Sequence, residues 1–457
     1  MTETEYGGRP KILFISLGCD KNLADSEAML GILSEHGYSF TDDEAEAEVI
    51  VVNTCCFIGD AKEESIQTIL EMARWKKEGR CKALLAAGCL AERYREEILS
   101  ELPELDGILG TTAYDQIIPL IEEALEGKKP RYFQSVDRLV PGQAGRVVTT
   151  GGHYAYLKIA EGCDKHCTYC VIPKVRGNYR SVPMEQLLDE ARTLAEKGVR
   201  ELILVAQETT VYGVDLYGRK MLPELLRELV KIPGIYWLRL LYCYPEEITD
   251  ALIEVIAAEE KICHYLDMPI QHASDSVLKR MGRKTSRQGL LDIIEKLRQR
   301  IPDIALRTTL LVGFPGETEE DFETLYEFVD MVGFERLGVF PYSPEEDTPA
   351  VSWPDQIPEE EKERRKERLM ELQQEIAFEA GGEMKGRVLT VMIEGKVADE
   401  AAYVGRTYMD APGVDGYIFV RTGEALLTGD FVTVRVTGAA DYDLIGEIYD
   451  EFDESAE

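Results

Sequence analysis

Residues 161–170 read EGCDKHCTYC and place Cys163, Cys167 and Cys170 within eight positions. The spacing, C-x3-C-x2-C, follows an apolar stretch at 154–160 (YAYLKIA) that reads as a β-strand. Thiolates this dense suit soft or borderline metals, meaning zinc or an iron–sulfur cluster. A structural zinc site is closed by four ligands, and an iron–sulfur cubane normally takes four cysteines. His166 is the nearest other donor, but it adjoins Cys167, which makes joint ligation awkward. With three thiolates, one iron of a cubane keeps an open position that can bind substrate or cofactor. A three-cysteine site therefore suggests chemistry, where a four-cysteine site suggests structure or electron transfer.

Working outward, further strands are expected at 201–206 (ELILVA), 236–242 (YWLRLLY), 264–268, 304–312 and 336–341, with helices between them such as 184–198 and 318–332. Six βα units predict an open or partial βα barrel. Upstream, residues 11–126 alternate in the same way: strands KILFISLG, EVIVVNT, KALLAAG and GILG are each followed by a helix. That is the pattern of a doubly wound parallel sheet. Residues 358–380 form a charged stretch whose acids and bases interleave, as in a solvated helical spacer. Beyond it, short strands separated by Gly and Asp turns predict a small antiparallel β-barrel. The expected division is an α/β domain at 1–130, a linker at 131–150, the βα barrel at 151–355, a connecting helix at 356–383 and the β-barrel at 384–457.

The strand reading exposes a second cysteine set. Cys19, Cys55 and Cys89 are far apart in sequence, but each follows a strand of the first domain. In a parallel sheet all three land at the carboxyl edge, where α/β sheets bind ligands. Three thiolates at one edge again point to a metal cluster with an open position. Cys56, Cys81, Cys243 and Cys263 read as structural.

Composition sets the frame. The chain has 457 residues, 45% hydrophobic and 30% charged, with a net charge of −34. Such acidity repels nucleic acid phosphate and attracts a basic partner. No run of about 18 apolar residues is present, so no membrane span is expected. The first residues lack the basic and apolar regions of a signal peptide, and a cytoplasmic protein is the expectation. Ten cysteines in a reducing compartment are more readily metal ligands than disulfides.

Cys163, Cys167 and Cys170, with Tyr169 before the last and a first barrel strand ahead, resemble the radical S-adenosylmethionine superfamily. The resemblance implies that the open iron chelates S-adenosylmethionine and that one electron cleaves it to methionine and a 5′-deoxyadenosyl radical. Two three-cysteine sets followed by a small β-barrel, called TRAM, resemble the methylthiotransferase family over nearly the whole chain. SLGCDKNLADSE, NTCCFIGDAKEESI, GCLAERY and GRTYMDAPGVDG resemble its RimO branch, with Asp20 where Pro is common and Cys56 where Gly is usual. This implies two 4Fe-4S clusters, one on Cys19, Cys55 and Cys89 and one on Cys163, Cys167 and Cys170, with S-adenosylmethionine as methyl donor and radical source. The implied product is a methylthio group on the β-carbon of an aspartate in a ribosomal small-subunit protein. The alternative within the family is a tRNA adenosine methylthiotransferase.

Residues 384–457 hold six Lys/Arg and fifteen Asp/Glu, a net of −9. An acidic TRAM barrel fits a basic ribosomal protein and disfavours tRNA. A reductant such as flavodoxin or ferredoxin is a further expected partner. Tyr169, Gln207 and Gly313 are the expected S-adenosylmethionine contacts, Gln207 because it ends a barrel strand and Gly313 because it opens the turn GFPGET. The same turn also reads as a plain strand-to-helix connection with Thr318 as N-cap. Gln271 and His272 end another strand. Arg176 and Arg180, in RGNYRS, read as structural ion-pairing residues in preference to a site that recognises a substrate carboxylate. The residues that perform catalysis beyond the ligands are not legible at this level.

Overall fold

The computed structural model describes residues 9–140 and 145–449. The amino-terminal sheet comprises β1 (Lys11–Ser16), β2 (Ser39–Phe40), β3 (Val49–Thr54), β4 (Ala83–Gly88), β5 (Gly107–Leu109) and β6 (Arg131–Tyr132). The strands are parallel in the order β2-β1-β3-β4-β5-β6. β3 and β4 are buried along their full length, which their unbroken apolar runs require of central strands in a covered sheet. One face packs Met29, Leu33 and Leu120; the other packs Ile69, Met72 and Leu90. Two covered faces make the sheet doubly wound. The expected linker begins inside it, because Arg131 and Tyr132 pair with β5 as a sixth strand.

The central sheet is built from β7 (Tyr154–Lys158), β10 (Glu201–Val205), β11 (Trp237–Leu240), β12 (Ile262–Asp267), β13 (Ala305–Val312) and β14 (Arg336–Pro341). Adjacent strands are parallel and in sequence order, and β7 and β14 remain edges, so the barrel is open. Two short strands, β8 (Ala160–Glu161) and β9 (Arg180–Ser181), pair antiparallel and bracket the cysteine loop. Thr318 caps helix Glu319–Val332 in a reciprocal pair with Asp321, as the plain reading of that turn expects.

Helix Glu359–Glu383 corrects the solvated-spacer expectation. Lys362, Arg365, Leu369, Leu372, Gln373 and Ala377 form a buried stripe against the barrel. Its two buried cations end on barrel partners: Lys362 Nζ donates to the Tyr342 carbonyl at 2.8 Å, and Arg365 pairs with Glu317 at 2.8 Å. Long basic side chains bury their stems while the heads find acceptors, so interleaved charge does not by itself mark a solvated helix.

The carboxy-terminal strands β15 (Val388–Lys396), β16 (Ala402–Arg406), β17 (Ile418–Arg421), β18 (Phe431–Ala440) and β19 (Asp443–Ile448) close as β15-β16-β17-β19-β18. The segment GRTYMDAPGVDG enters the amino-terminal side of the open barrel. Arg406 pairs with Glu201 at 2.7 Å, Asp410 with Arg336 at 2.5 Å and Asp415 with Arg307 at 3.3 Å. Arg239 Nη1 donates to the Tyr408 carbonyl at 2.6 Å. One apolar core runs from Ile203, Trp237 and Tyr265 of the sheet to Met409, Val391 and Ile418 of the small barrel.

These contacts correct the charge argument for the partner. Of the fifteen acids in 384–457, five lie at 450–457, outside the described residues. Glu394, Asp410 and Asp415 are turned inward onto Arg406, Arg336 and Arg307. A charge count takes no notice of side-chain direction, so the full count overstates the acidity that this barrel presents to a partner.

Candidate active site

Cys19, Cys55 and Cys89 stand at the carboxyl ends of β1, β3 and β4, as their strands require. Cys19 immediately precedes helix Asp20–Glu35 and Cys89 opens helix Cys89–Tyr94. Gly18, at φ +84°, brings the first loop against the second: a Cβ there would stand 2.6 Å from Cys55 Cβ. Asn22 ties these loops together, donating from Nδ2 to the Leu17 carbonyl at 2.6 Å and to the Thr54 carbonyl at 3.3 Å. Ser65 accepts from the Cys55 amide at 3.0 Å. Burial pushes the Cys55 thiol up to about 12, with Cys89 and Cys19 adding to the rise. Burial also pushes Cys89 up, against the opposing guanidinium of Arg176.

The other three cysteines occupy the loop after β8. Gly162, at φ +81°, has no room for a Cβ because the Asn178 carbonyl covers it. Gln207 braces the loop, its Oε1 accepting from the Gly162 amide at 2.8 Å and its Nε2 donating to Glu161 at 2.7 Å. The Cys170 amide donates to the Cys167 carbonyl at 3.0 Å, closing the turn. Tyr244 OH lies 3.7 Å from Cys167 Sγ. Burial pushes Cys163 up to about 12 and also raises Cys170.

None of the six cysteines forms a disulfide. Thiols raised by burial stay protonated unless a cation stabilises the thiolate, and an iron–sulfur core supplies that charge. Among the described residues no three His, Cys, Asp or Glu meet closely enough for a single metal ion. Cys55 feels the charges of Cys89 and Cys19, and Cys170 those of Cys167 and Cys163, so the thiols of each set converge, and a cubane, being larger than one ion, suits three thiols that do not meet at one point.

The sets are joined by a buried polar network. Arg176 Nη1 pairs with Asp25 at 2.6 Å and Glu161 at 3.3 Å. Its Nη2 donates to Asn22 Oδ1 at 3.0 Å and to Cys89 Sγ at 3.4 Å. Lys158 completes the network through Asp25 and Glu161. Tyr242, at the end of β11, donates from its hydroxyl to Asp20 at 2.9 Å, and the Lys21 ammonium lies 3.1 Å from its ring centre. Arg176 is thus an ion pair, as expected, but one that reaches the first cysteine set. Arg180 donates from Nη2 to the Arg176 carbonyl at 3.0 Å, and its Nη1 lies 3.6 Å from Asp137.

Tyr169 packs edge-on to Phe314, which also meets Tyr342 and Trp353. Gly313 lies beneath the Lys362 side chain of the long helix. His272 is buried, with Nδ1 accepting from the Ser274 amide at 2.9 Å. Cys56 sits in the apolar core beside Ile69, Cys81 Sγ faces the Ala83 carbonyl, and Cys243 and Cys263 are buried in the barrel.

Glu208 was not singled out from sequence. It is buried, Thr210 satisfies its Oε1, and Oε2 has no hydrogen-bond partner. Burial pushes its carboxyl up to about 7. The available signal was its place beside Gln207 at a strand end.

Three family models match the chain: the radical SAM superfamily over residues 157–329, uncharacterized protein family UPF0004 over 11–110 and the TRAM domain over 386–448. The central domain is thereby of the radical SAM class, and the matched residues include the loop of Cys163, Cys167 and Cys170. Among curated proteins, the ribosomal protein uS12 methylthiotransferase RimO of Lachnoclostridium phytofermentans is 64% identical, covering 95% of this chain and 99% of the relative. The protein of that name from Pelotomaculum thermopropionicum is 52% identical over 96% and 99%. The chain belongs to the RimO methylthiotransferase family. In fold it is similar to the radical S-adenosylmethionine methyltransferase TsrM from Kitasatospora setae, with TM-score 0.54, 15% identity and 75% of each chain covered. OxsB, a cobalamin-dependent S-adenosylmethionine radical enzyme, aligns at TM-score 0.50 and 11% identity over 79% of this chain and 56% of that one.

Proposed function

We propose that this chain transfers a methylthio group to the β-carbon of an aspartate in ribosomal protein uS12, with S-adenosylmethionine as methyl donor and radical source. Cys19, Cys55 and Cys89 hold one 4Fe-4S cluster, and Cys163, Cys167 and Cys170 hold the other. The observation that carries this reading is the buried Arg176 that links Cys89 of one three-thiol set to Glu161, at the start of the loop holding the other, within a family whose curated members carry that name. When bound, the groups supply one-electron reductive cleavage of S-adenosylmethionine at one site and hold sulfur at the other.

The chain's own residues divide the remaining work. Glu208 presents a carboxylate oxygen that accepts no hydrogen bond, with the Lys165 ammonium 3.8 Å away, and that oxygen suits the ammonium of S-adenosylmethionine. Gln207 acts through the Gly162 amide and fixes the loop. Tyr169 supplies an aromatic wall, and Gly313 shapes the turn that carries Phe314 against it. The three functional units follow the domain limits set out above, with residues 131–132 joined to the first. A reductant such as flavodoxin or ferredoxin serves the site. Among the described residues no helix is long and apolar enough to cross a membrane; a cytoplasmic location matches work on a ribosomal protein.

Mass analysis of uS12 and of tRNA from cells lacking the gene tests the reading. Loss of the methylthio increment from uS12 alone is expected. Loss from tRNA alone overturns it.

A further inference from the structure

Residues 279–287, KRMGRKTSR, carry five cations and no acid in a chain of net charge −34. Lys279 and Lys284 are exposed, while Arg280 and Arg287 are half-buried. Among the described residues none of these four has an ion-pair partner; Arg283 alone pairs, with Glu246 at 3.8 Å. The basic run at 74–82 differs, since Lys76 is paired with Asp106 and Lys82 with Glu48.

The segment is fastened to the loop of Cys163, Cys167 and Cys170. The Thr168 amide donates to the Met281 carbonyl at 3.0 Å, and Thr168 Oγ1 donates to the Arg280 carbonyl at 2.8 Å. Gly282 is exposed, and a Cβ on it would lie 3.7 Å from the His166 carbonyl and 3.9 Å from Cys167 Cα. His166, inside the cysteine motif, is exposed beside it. The outer wall of this cysteine loop is therefore thin, reachable from solvent and positively charged.

We propose that the exposed Lys279 and Lys284, backed by Arg287 and by an Arg280 whose guanidinium lies over the Trp353 ring, centre the docking surface for an acidic one-electron carrier protein. This rests on the cluster assignment made above. A carrier docked here gives up one electron and is oxidised by one equivalent, and the site held by Cys163, Cys167 and Cys170 is reduced by one. Two acidic proteins repel at long range, and a local basic patch overcomes this by steering encounter, an effect that salt screens. Ribosomal RNA is the competing acidic partner. The hydrogen bonds that fasten the patch to the cysteine loop favour the carrier.

The test uses the full chain, reconstituted anaerobically, with flavodoxin as the probe. Oxidised flavodoxin binding is measured by titration, and cluster bleaching by reduced flavodoxin is followed in stopped flow. The K279E/K284E variant is expected to weaken binding and slow bleaching at least tenfold at low ionic strength, with a flatter salt dependence. Its iron content and its photoreduction by deazaflavin, which needs no docking surface, should match the parent. An iron-loaded variant that binds flavodoxin and bleaches at the parent rate overturns the proposal. Selective loss of small-subunit RNA binding with flavodoxin unaffected also overturns it. Absence of iron from the parent chain's Cys163 set strikes the cluster assignment instead.

Discussion

Arg176 Nη2 stands 3.4 Å from Cys89 Sγ, although Arg176 ends the short helix that begins two residues after Cys170. One side chain thus ties the third cysteine of the first set to the segment that carries the second. Replacing Arg176 with Met strands Asp25 and Glu161 as buried carboxylates, with only Lys158 left to balance them. The loss of one member of a buried charge network costs about 3–5 kcal/mol. A corresponding fall in the denaturant midpoint of the iron-free chain is expected, with R176K recovering part of it.

The two cysteine sets should separate cleanly. About eight iron per chain are expected after reconstitution, from two four-iron clusters. Changing Cys163, Cys167 and Cys170 to Ala should halve the iron and abolish reductive cleavage of S-adenosylmethionine. Changing Cys19, Cys55 and Cys89 should also halve the iron, but keep cleavage and lose thiolation. Cleavage retained in the first variant would reject the assignment of the radical site.

Glu208 offers a test of cofactor binding. E208Q keeps the shape of the side chain and removes the charge that the carboxyl carries above pH about 7, so the comparison is made at pH about 8. A hydrogen bond to a charged group contributes about 1.5–3 kcal/mol, so S-adenosylmethionine should bind about tenfold more weakly or worse. Equilibrium binding to the reconstituted chain measures this, and parent-like affinity would remove Glu208 from the site.

Asp321 carries a pH dependence whose sign is fixed. Although burial opposes it, hydrogen bonds from Ser274, Ser276 and Thr318 hold its carboxyl down to about 2, below the ordinary 3.8. A depressed carboxyl stabilises the fold above its unfolded pKa, and that contribution fades as pH falls toward the folded value. The stability gap between the parent and D321N should be full above pH about 4 and narrow as pH falls toward 2. A gap that widens on acidification would contradict this origin.

Periodicity carried the architecture because each strand end is also a ligand position. Once β1, β3 and β4 are parallel, Cys19, Cys55 and Cys89 must share an edge. What sequence did not disclose depends on long-range contact. Arg176 reaches Cys89 and Asn22 across the domain boundary, and no local pattern marks that destination. Residues 131–132 carry too few positions to signal a strand, and pairing with β5 decides it. Helix Glu359–Glu383 hid its buried stripe behind charge, because Lys362 and Arg365 bury their stems as apolar residues do. The acids of the last barrel were counted correctly, but three of them face inward.

That inward charge bears on whether the last barrel is interchangeable. Arg239, Arg307 and Arg336 of the central sheet are answered by Asp410, Asp415 and the Tyr408 carbonyl. A TRAM barrel grafted from a tRNA-modifying relative without those groups would leave arginines desolvated at the junction. Swapping substrate specificity by module exchange would therefore have to carry the Arg406–Asp415 segment across with its host, and the true unit of exchange is the small barrel together with the floor of the large one.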